Sequence, residues 1–461
     1  DERYRADLVV PRSATDLAEA AARSTPGLYL FSDYVWNVAG NLALSAAVKE
    51  ADPHHLTVHG GPSVPGYEAD RRAFLDEHPS VDVLVHGEGE ITIRELLGRL
   101  AHLDPAGPLD AATACEAIAG LAGTTVRTGE GPVTGPARDR IEDLASVPSP
   151  FLTGVFDDLV DAGLRRIVLE TNRGCPFRCS FCDWGSATNT RIRTFPLDRV
   201  EAEIEWAAAN RAEFVIMADA NFGMLPRDEQ ITEWVAGHHE STGFPVRFGA
   251  SMAKNPNDRF ASIIERMRDA GLLMGAGLSL QTYDPGTLDN IDRRNIPRER
   301  YDGIWDAFRS IDVPMGAEFM IGLPGCTRET FRDDLQFAVD REVSFLVHRT
   351  AVLPNAPMND PDYRDRFGLV TDADHNLIAT ESYSPEDLRE MLLDYQAVYG
   401  ADHLGTLRVV LRFLRQRTGR LEADLAVELA AAARSRPAHL GQETVPTRRR
   451  ATPPPDCGRH P

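Results

Sequence analysis

Short apolar runs and amphipathic stretches alternate along most of the chain. Early in the chain, three runs begin apolar and end in glycine or polar residues, as a buried strand does where it enters a loop: GLYLFSDYVWN, LTVHGGPS and VDVLVHGEGE. Helical spacing follows in NLALSAAVKEADP and ITIRELLGRL. This alternation predicts an α/β fold that begins with a doubly wound, Rossmann-like parallel sheet over residues 1–105.

Such sheets bind ligands at the carboxyl ends of their strands, so the residues predicted there are candidates for a binding site. Glycine at these ends lets a ligand approach the backbone closely, although it is equally suited to a tight turn. The candidates are Ser32, Gly60, Gly61, Gly87 and Gly89.

Residues 106–155 interrupt the alternation. AGPLDAATACEAIAG is followed by the glycine- and proline-rich stretches TVRTGEGPVTGPARD and ASVPSPFLTG. Glycine and proline at this density mark turns and connections. We therefore expect a small hairpin and a linker between two domains.

A second alternation covers residues 156–370. Between its apolar runs lie helical stretches such as PLDRVEAEIEWAAANRA, in which Leu197, Val200, Ile204 and Ala208 share one face. Successive strand–helix units of this kind predict a partial (β/α)6 barrel, whose chemistry lies at the carboxyl ends of its strands. The strand candidates are LRRIVLE, EFVIMADA, PVRFGA, LLMGAGLSLQ, VPMGAEFMIG and VSFLVHRTAV.

Helical patterns return in residues 371–440, from SPEDLREMLLDYQAVYG to LEADLAVELAAAARS. Ser384, Pro385 and Glu386 form a typical helix start. We expect this helical region to cap the barrel mouth and to take part in substrate selection. Residues 441–461, which include TRRRATPPPDCGRHP, have the composition of a disordered tail.

Composition and charge restrict the class of protein. Of the 461 residues, 43% are hydrophobic and 26% are charged, which is typical of a globular protein with two or three domains. The net charge of −21 argues against a nucleic-acid partner. No apolar run approaches the roughly 20 residues of a membrane span, and DERYRADLVV does not resemble a signal peptide. We therefore predict a cytoplasmic protein with no membrane or nucleic-acid partner.

Three of the six cysteines lie close together in RGCPFRCSFCDWG, at Cys175, Cys179 and Cys182. Their spacing indicates metal or redox chemistry, whereas the isolated Cys115, Cys326 and Cys457 are expected to be structural thiols. A closed zinc site needs four ligands, and so does an ordinary four-iron electron-transfer cluster. Three thiols without a second pair leave one iron open to bind a substrate. A zinc site or a plain electron-transfer centre is the alternative.

The cysteine segment resembles the signature CxxxCxΦC of the radical S-adenosylmethionine (SAM) enzymes, in which Φ is aromatic. Cys175, Cys179, Phe181 and Cys182 match every position of this signature. The resemblance implies that three cysteines hold a [4Fe-4S] cluster whose open iron binds SAM. It further implies that an electron from the cluster cleaves SAM to a 5′-deoxyadenosyl radical, and that a flavodoxin- or ferredoxin-type protein supplies the electron.

Other segments fit the same family. The resemblance assigns SAM contacts to Phe181, to Asp219 and Asn221 of ADANFG, and to Ser279 and Gln281 of LSLQTYDPGTLDNIDRRN. EFMIGLPGCTRETF resembles the fifth barrel strand of the family, although Cys326 stands where many members have Glu. From the residues alone, each of these positions could equally belong to the barrel core. Asp183 and Trp184 could contact a cofactor or substrate, or could pack the cysteine loop.

The N-terminal segments WN, HGGPS and GEGE resemble the cobalamin-binding domains that precede some radical SAM barrels. This resemblance implies cobalamin contacts at Ser32, Gly60, Gly61, Gly87, Glu88 and Gly89. The histidine-donating DxHxxG pattern is absent, and His54 and His55 are interpreted as loop residues, so cobalamin is expected to bind without a protein histidine. The first strand and helix of such a domain are not recognised, which predicts a truncated N-terminus.

Together these resemblances imply a cobalamin-dependent radical SAM methyltransferase that acts on an unactivated carbon of a specialised or peptide-derived metabolite. One SAM would methylate cobalamin and a second would generate the radical. A radical mechanism needs no general base, so no residue is assigned as catalytic. One alternative uses both cofactors for a rearrangement or another non-methylating step, and a second is a corrinoid or iron–sulfur carrier without catalysis.

Overall fold

A computed structural model describes residues 14–103, 110–184, 190–253, 258–272 and 276–435. The chain divides into two compact units, and the boundary in the sequence lies between Leu392 and Leu393. The first unit contains every strand of the described ranges and all the residues predicted to bind cofactors.

The first sheet has five strands in the order β1-β2-β3-β4-β5. The first three are parallel, and the last two form an antiparallel hairpin that extends the sheet. The strands are β1 (Leu28–Ser32), β2 (Leu56–Gly60), β3 (Val83–Val85), β4 (Thr124–Thr128) and β5 (Gly131–Thr134). The helices of this part are α1 (Ala14–Arg23), α2 (Val38–Ala51), α3 (Glu68–Glu77), α4 (Gly89–Leu100) and α5 (Ala111–Ile118).

Helices cover both faces of the first sheet because successive side chains on a strand point to opposite faces. Leu56 and Val58 of β2 pack against α4 and α5. Leu84 of β3 packs with residues of α2 and α3 on the other face. In a doubly wound sheet the strand order reverses direction at one point in the sheet. The five described strands lie side by side in chain order, so they contain no such reversal. The α/β prediction is confirmed for this part, and the doubly wound layout stays a prediction.

Two elements near the first sheet differ from the sequence analysis. α1 precedes β1 and packs Leu17 and Ala21 against Val48 of α2, so the expectation that no helix stands before the first recognised strand is wrong. The expectation of a missing first strand concerns residues 1–13, which lie outside the described ranges. The predicted hairpin is β4–β5, but the segment before it contains the unpredicted helix α5.

The second part of the unit contains all six predicted parallel strands, in two three-stranded sheets. The first sheet has the order β10-β9-β6 and the second the order β11-β12-β13. A short ribbon, β7–β8, lies beside the predicted cysteine loop. The strands are β6 (Arg166–Leu169), β7 (Asn172–Arg173), β8 (Arg193–Thr194), β9 (Phe214–Phe222), β10 (Arg247–Met252), β11 (Ala276–Gln281), β12 (Met315–Ile321) and β13 (Ser344–Arg349).

Helices separate these strands along the chain: α6 (Asp157–Asp161), α7 (Leu197–Ala209), α8 (Arg227–Thr242), α9 (Asp258–Asp269), α10 (Pro285–Asn290), α11 (Arg298–Ser310) and α12 (Arg328–Arg341). The predicted apolar face of α7 is confirmed, because Val200, Ile204 and Ala208 are buried and Leu197 packs against the same core. The barrel that would join the two sheets stays a prediction.

The rest of the chain is mainly helical, as expected. It contains α13 (Pro361–Phe367), α14 (Pro385–Val398), α15 (Arg408–Thr418) and α16 (Glu422–Ser435), and a small unpredicted hairpin of β14 (Val370–Thr371) and β15 (Leu377–Ala379). Within the second unit, Arg415 of α15 forms an ion pair with Glu422 of α16. The predicted tail at 441–461 lies outside the described ranges. None of the described helices is both long enough and apolar enough to cross a membrane.

One side chain ties the loop that follows β2 to the segment that follows β13. The Asn355 amide donates to the carbonyls of Pro62 and Val64, both at 2.8 Å, and accepts from the backbone N–H of Gly66. A Cβ atom on Gly66 would lie 2.7 Å from Oδ1 of Asn355, so glycine leaves the space for this contact. The two parts of the unit are thus held together by a three-bond clamp.

We predict that Asn355→Ala speeds hydrogen exchange at the Gly66 amide and at its neighbours in the loop, and lowers the free energy of unfolding by roughly 1–4 kcal/mol, since three neutral hydrogen bonds are lost. Exchange measured by mass spectrometry and urea unfolding test this. Asn210→Ala is the control, because Asn210 bonds only to Trp206 of its own helix. Unchanged exchange at Gly66 would contradict the clamp.

Candidate active site

The cysteine loop starts at the carboxyl end of β6 and is fixed at several backbone positions. Gly174 has φ +118°, and a Cβ atom there would lie 2.4 Å from the carbonyl oxygen of Arg191, so only glycine fits. The Thr190 N–H donates to the carbonyl of Cys175 at 2.8 Å. The Ser180 N–H donates to the carbonyl of Ile291 at 2.9 Å. The loop is therefore held from both sides.

The three predicted ligands lie on this loop. Cys175 and Cys179 are 2% and 3% exposed, while Cys182 is partly exposed. Two N–H donors reach their sulfurs: Asn221 Nδ2 lies 3.3 Å from Cys175 Sγ, and Arg293 Nη1 lies 3.9 Å from Cys179 Sγ. Donors of this kind stabilise thiolates, which are the form that binds iron. The residues thus fit a cluster held by three thiolates.

A single metal ion is a different case. Within the described ranges, no three His, Cys, Asp or Glu side chains are grouped closely enough to hold one ion. The thiolates of a four-iron cluster bind separate irons, so they do not need such close grouping.

Asn221 also offers an acceptor at the site. Its Oδ1 atom is buried and has no hydrogen-bond partner within the described residues, whereas its Nδ2 atom contacts Cys175. A buried amide oxygen without a partner is costly unless a ligand or water donates to it. The geometry therefore fits the predicted ligand contact at Asn221.

The carboxylate of Asp219 is hydrogen-bonded within the protein, and its predicted contact with SAM stays a prediction. Its buried carboxylate accepts bonds from the backbone N–H and hydroxyl of Thr171, and from the backbone N–H and side-chain amide of Asn172. Burial raises its pKa to about 6, against the lowering effect of these bonds. The carboxylate therefore supports the start of the cysteine loop.

Ser279 and Gln281 lie at the carboxyl end of β11, as predicted. The Ser279 hydroxyl donates to Glu318 of β12 at 2.5 Å. Gln281 follows a bulge, where its φ is +68°. Phe181 is partly buried beside Cys182. The structure thus places these residues near the cysteine loop or at a strand end, and their contact with SAM stays a prediction.

Sequence reasoning missed three residues of this region. Glu318 bonds Ser279, and Arg293 and Asn295 bond the backbone of β11 and the residue after it. The segment IDRRN was recognised as part of the family pattern, but no role was assigned to Arg293. The sequence signal for Arg293 was its charge within this segment. In the structure the same segment contacts the cysteine loop, where the carbonyl of Ile291 accepts from the Ser180 N–H.

Three further residues have structural roles. The Trp184 indole donates to the carbonyl of Ala218 at 3.1 Å and so packs the cysteine loop against β9. Burial raises the pKa values of the Cys115 and Cys326 thiols to about 12, which makes both unreactive. Cys457 lies outside the described ranges.

The cobalamin candidates lie at the carboxyl edge of the first sheet. Ser32 ends β1, Gly60 ends β2, and Gly61 packs against the backbone of Asp33. Asp33 is fully buried and bonds His59 and Asn41, each at 2.8 Å. These bonds fix the start of the loop after β1.

The rest of that loop and the next turn are open. Val35 and Trp36 are exposed, Trp36 by 76%. Gly87 has open space around the position of a Cβ atom, and Gly89 starts α4. An open edge with exposed apolar side chains fits a large, partly apolar cofactor.

Glu88 differs from the other cobalamin candidates, because the protein itself uses its carboxylate. Arg193 of β8 donates to both oxygens, at 2.5 and 3.0 Å, and the Ile141 N–H donates to Oε2 at 2.6 Å. Burial alone would raise the pKa of Glu88, but these bonds outweigh burial and lower it. The structure therefore places the Glu88 carboxylate in the contact between the first sheet and the strands that follow, and its contact with cobalamin stays a prediction.

His54 and His55 do not face the cobalamin candidates. His54 is exposed and bonds Asp52 at 2.8 Å. His55 is buried, where Nδ1 accepts from the Gly27 N–H and Nε2 contacts the carbonyl of Ala21. Both side chains are therefore engaged in local structure.

We predict that Glu88→Gln lowers the free energy of unfolding of the cofactor-free protein by about 2–4 kcal/mol, because it leaves the nearly buried Arg193 without a counter-charge. A double-mutant cycle with Arg193→Met in urea unfolding measures the coupling. The contribution of Glu88 is complete above its ordinary pKa and is lost as the pH falls through its lowered folded pKa.

Glu95→Gln is the matched control, since Glu95 also lies on α4 and pairs with an arginine, Arg138, but is 42% exposed. Its loss should cost at most about 1 kcal/mol. If Glu88→Gln left stability unchanged and weakened only cobalamin binding, the structural assignment of Glu88 would be wrong.

Comparison with known proteins agrees with the geometry of the cysteine loop. Residues 169–338 match the Radical SAM superfamily. The chain is 39% identical over 355 residues to the cobalamin-dependent radical SAM methyltransferase TokK of Streptomyces tokunonensis, covering 75% of this chain and 50% of TokK. It is 38% identical over 380 residues to 2-(S-pantetheinyl)-carbapenam-3-carboxylate methyltransferase of Streptantibioticus cattleyicolor, covering 80% of this chain and 53% of that protein. The chain thus spans about half the length of these relatives.

The fold is similar to that of TsrM from Kitasatospora setae, a radical SAM methyltransferase solved with tryptophan and a SAM analogue. The TM-score is 0.57 at 17% identity, covering 82% of this chain and 80% of TsrM. A second TsrM structure, with cobalamin and a [4Fe-4S] cluster bound, gives a TM-score of 0.54 at 20% identity, covering 75% of this chain and 65% of that one. The domain at residues 169–338 therefore belongs to the radical SAM superfamily, and the chain is similar over three quarters or more of its length to two methyltransferases, one of them a cobalamin-dependent radical SAM enzyme.

Proposed function

We propose that this chain is a cobalamin-dependent radical SAM methyltransferase that acts on an unactivated carbon of a small specialised metabolite. The observation that carries the proposal is the fixed loop with Cys175, Cys179 and Cys182, at the carboxyl end of a parallel strand, with N–H donors aimed at two of the three sulfurs. The similarity to two methyltransferases over three quarters or more of this chain supports it.

The proposed layout is a Rossmann-like cobalamin domain over residues 1–105, a linker at 106–155, and a partial (β/α)6 barrel at 156–370. Six parallel strands in chain order, arranged as two sheets of three, support the barrel. Parallel strands with helices on both faces support the N-terminal domain. The likeness to the TsrM fold supports both.

When bound, the cluster and SAM supply a radical that can remove hydrogen from carbon, and cobalamin supplies the methyl group. In this proposal Cys175, Cys179 and Cys182 hold the cluster. Phe181, Asn221, Ser279 and Gln281 line the SAM site, and the unpartnered oxygen of Asn221 accepts a hydrogen bond from SAM. Asp219 orients the start of the cysteine loop through its hydrogen bonds with Thr171 and Asn172.

The loops at the ends of β1, β2 and β3 hold cobalamin, through Ser32, Gly60, Gly61, Gly87 and Gly89. The exposed Val35 and Trp36 support this, because a bound cofactor would cover their apolar surface. These chain segments bind and orient the cofactor and exclude water from it.

The substrate is proposed to bind between the two sets of strand ends. A cavity of about 660 Å³ lies between the start of α3 and α13, with Tyr67, Asn359 and Arg364 among its lining residues, and its size is within the range of small-molecule sites. Burial first, and then the carboxylates of Asp360, Asp70 and Asp183, raise the pKa of Tyr67, so the cavity is close to the residue after the last cluster cysteine. A pantetheinyl carbapenam, as in the name of one relative, is the first substrate to test. A flavodoxin- or ferredoxin-type electron donor and a cytoplasmic location complete the proposal.

The test is an anaerobic incubation of the reconstituted protein with SAM, cobalamin, a strong reductant and 2-(S-pantetheinyl)-carbapenam-3-carboxylate. We expect 5′-deoxyadenosine, S-adenosylhomocysteine and a product heavier by one methyl group, all measured by mass spectrometry. Cys175→Ala should abolish all three, because the cluster loses one of its three ligands. Cys115→Ala, which removes a buried thiol of the first sheet, should leave them unchanged.

The other outcomes identify the alternatives. Deoxyadenosine without S-adenosylhomocysteine would contradict the methyltransferase and favour a non-methylating radical enzyme. Neither product, with the cluster intact by iron and sulfide analysis, would favour a carrier. Products that persist in Cys175→Ala would refute the cluster assignment.

A further inference from the structure

Arg293 is a buried cation beside one of the cluster cysteines. Its side chain belongs to a residue that is 4% exposed, and Nη1 lies 3.9 Å from Sγ of Cys179. The remaining donors are used by neutral groups: Nη2 donates to the carbonyl of Ser279, and Nε donates to Oδ1 of Asn295 at 2.9 Å. Each of the three guanidinium nitrogens thus has a partner, and only one of these partners can carry a negative charge.

The guanidinium of Arg293 has no carboxylate partner among the described residues. Among the ion pairs of the described residues, none joins Arg293 to a carboxylate, although Arg178, Arg193 and Arg199 each have one. A buried guanidinium without an anion is costly, because it loses the solvation of a full charge. Cys179 as a thiolate would supply that anion, and the cysteine is an expected cluster ligand.

Asn295 fixes the guanidinium in this position. While Oδ1 of Asn295 accepts from Arg293, its Nδ2 atom donates to the carbonyls of Leu280 and Thr282, at 3.0 and 3.1 Å. Arg293 is therefore tied to the end of β11, through both Ser279 and Asn295. Because it is tied to the backbone there, its charge stays at a constant distance from the cysteine loop.

We propose that Arg293 raises the reduction potential of the cluster held by the cysteine loop, and so is a redox-tuning residue of this site. The inference rests on the proposed function, since it requires the cluster. In the redox step the cluster takes up one electron from a low-potential donor, and no bond of the protein forms or breaks. A fixed positive charge in a region of low dielectric stabilises the added negative charge, and nearby charge and hydrogen bonds to the sulfurs are known to set cluster potentials.

Arg178 is a matched control on the same loop. It is the sequence neighbour of Cys179, but its side chain is 68% exposed and forms an ion pair with Asp292 at 3.1 Å. Water and the carboxylate screen this charge, so its removal should have little effect on the cluster.

The experiment is an anaerobic titration of the reconstituted cluster in the full chain, followed by electron paramagnetic resonance, for wild type, Arg293→Gln, Arg293→Lys and Arg178→Gln. We expect a more negative midpoint potential for Arg293→Gln, and potentials near wild type for Arg293→Lys, which keeps the charge, and for Arg178→Gln. An unchanged potential in Arg293→Gln would overturn the proposal. Equal shifts in the Gln and Lys variants would also overturn it, because the effect would then come from geometry and not from charge.

A second variant covers the case in which Arg293→Gln does not assemble a cluster. Asn295→Asp keeps Arg293 and adds a carboxylate against its Nε atom, which offsets the charge with little change in size. It also removes the two bonds from Nδ2 to the carbonyls of Leu280 and Thr282, so Asn295→Ala, which removes these bonds without adding a charge, is measured beside it. We expect Asn295→Asp also to have a more negative potential, and an unchanged potential would overturn the proposal. Failure of the proposed function gives a different result, because wild type itself would then show no cluster that depends on Cys175.

Discussion

The ion pair between Glu88 and Arg193 is the interaction on which the arrangement of the first unit depends. It joins the turn after β3 to β8, which lies beside the cysteine loop, and the backbone of Ile141 in the connecting segment bonds to both partners. Both side chains are largely buried, so their attraction offsets the loss of solvation only when the hydrogen bonds between them are all formed. The pair therefore fixes the distance between the carboxyl edge of the first sheet and the start of the second part, which is the space two cofactors and a substrate would have to share.

The cysteine loop shows how one fixed position is built from several weak contacts. Asp219 supports the loop from β9, Asn221 bonds one thiol from the same strand, and Arg293 contacts another from the segment after α10. These contacts come from two separate parts of the chain, and Gly174 leaves no room for the loop to shift toward Arg191. The position of the cysteine loop is thus set by contacts from several elements of the first unit.

Periodicity was enough to predict the six parallel strands and the buried face of α7, because these depend on local alternation of apolar and polar residues. The β4–β5 hairpin was predicted from the glycine and proline residues of its segment. The spacing of the cysteines was enough to predict the radical SAM domain that the comparison finds at residues 169–338. The roles of Glu88 and Asp219 could not be predicted in this way. Each looks like an available ligand in the sequence, but its partners lie 105 and 48 residues away, at Arg193 and Thr171. Short-range patterns contain no information on such pairs, and for the same reason Arg293 received no role before its neighbours were known.

The fit between Gly66 and Asn355 limits how this architecture can be rebuilt. The clamp needs a residue without a side chain on one part and an amide of one length on the other, so neither position can change alone without loss. A chimera that takes its first sheet from one relative and its barrel strands from another would keep the clamp only if it inherited both halves from compatible parents. We therefore expect the exchange of the first sheet between such chains to depend on this contact. It lies close to the cysteine loop, because the Met358 N–H, shortly after Asn355, donates to the carbonyl of Ser180 at 2.8 Å.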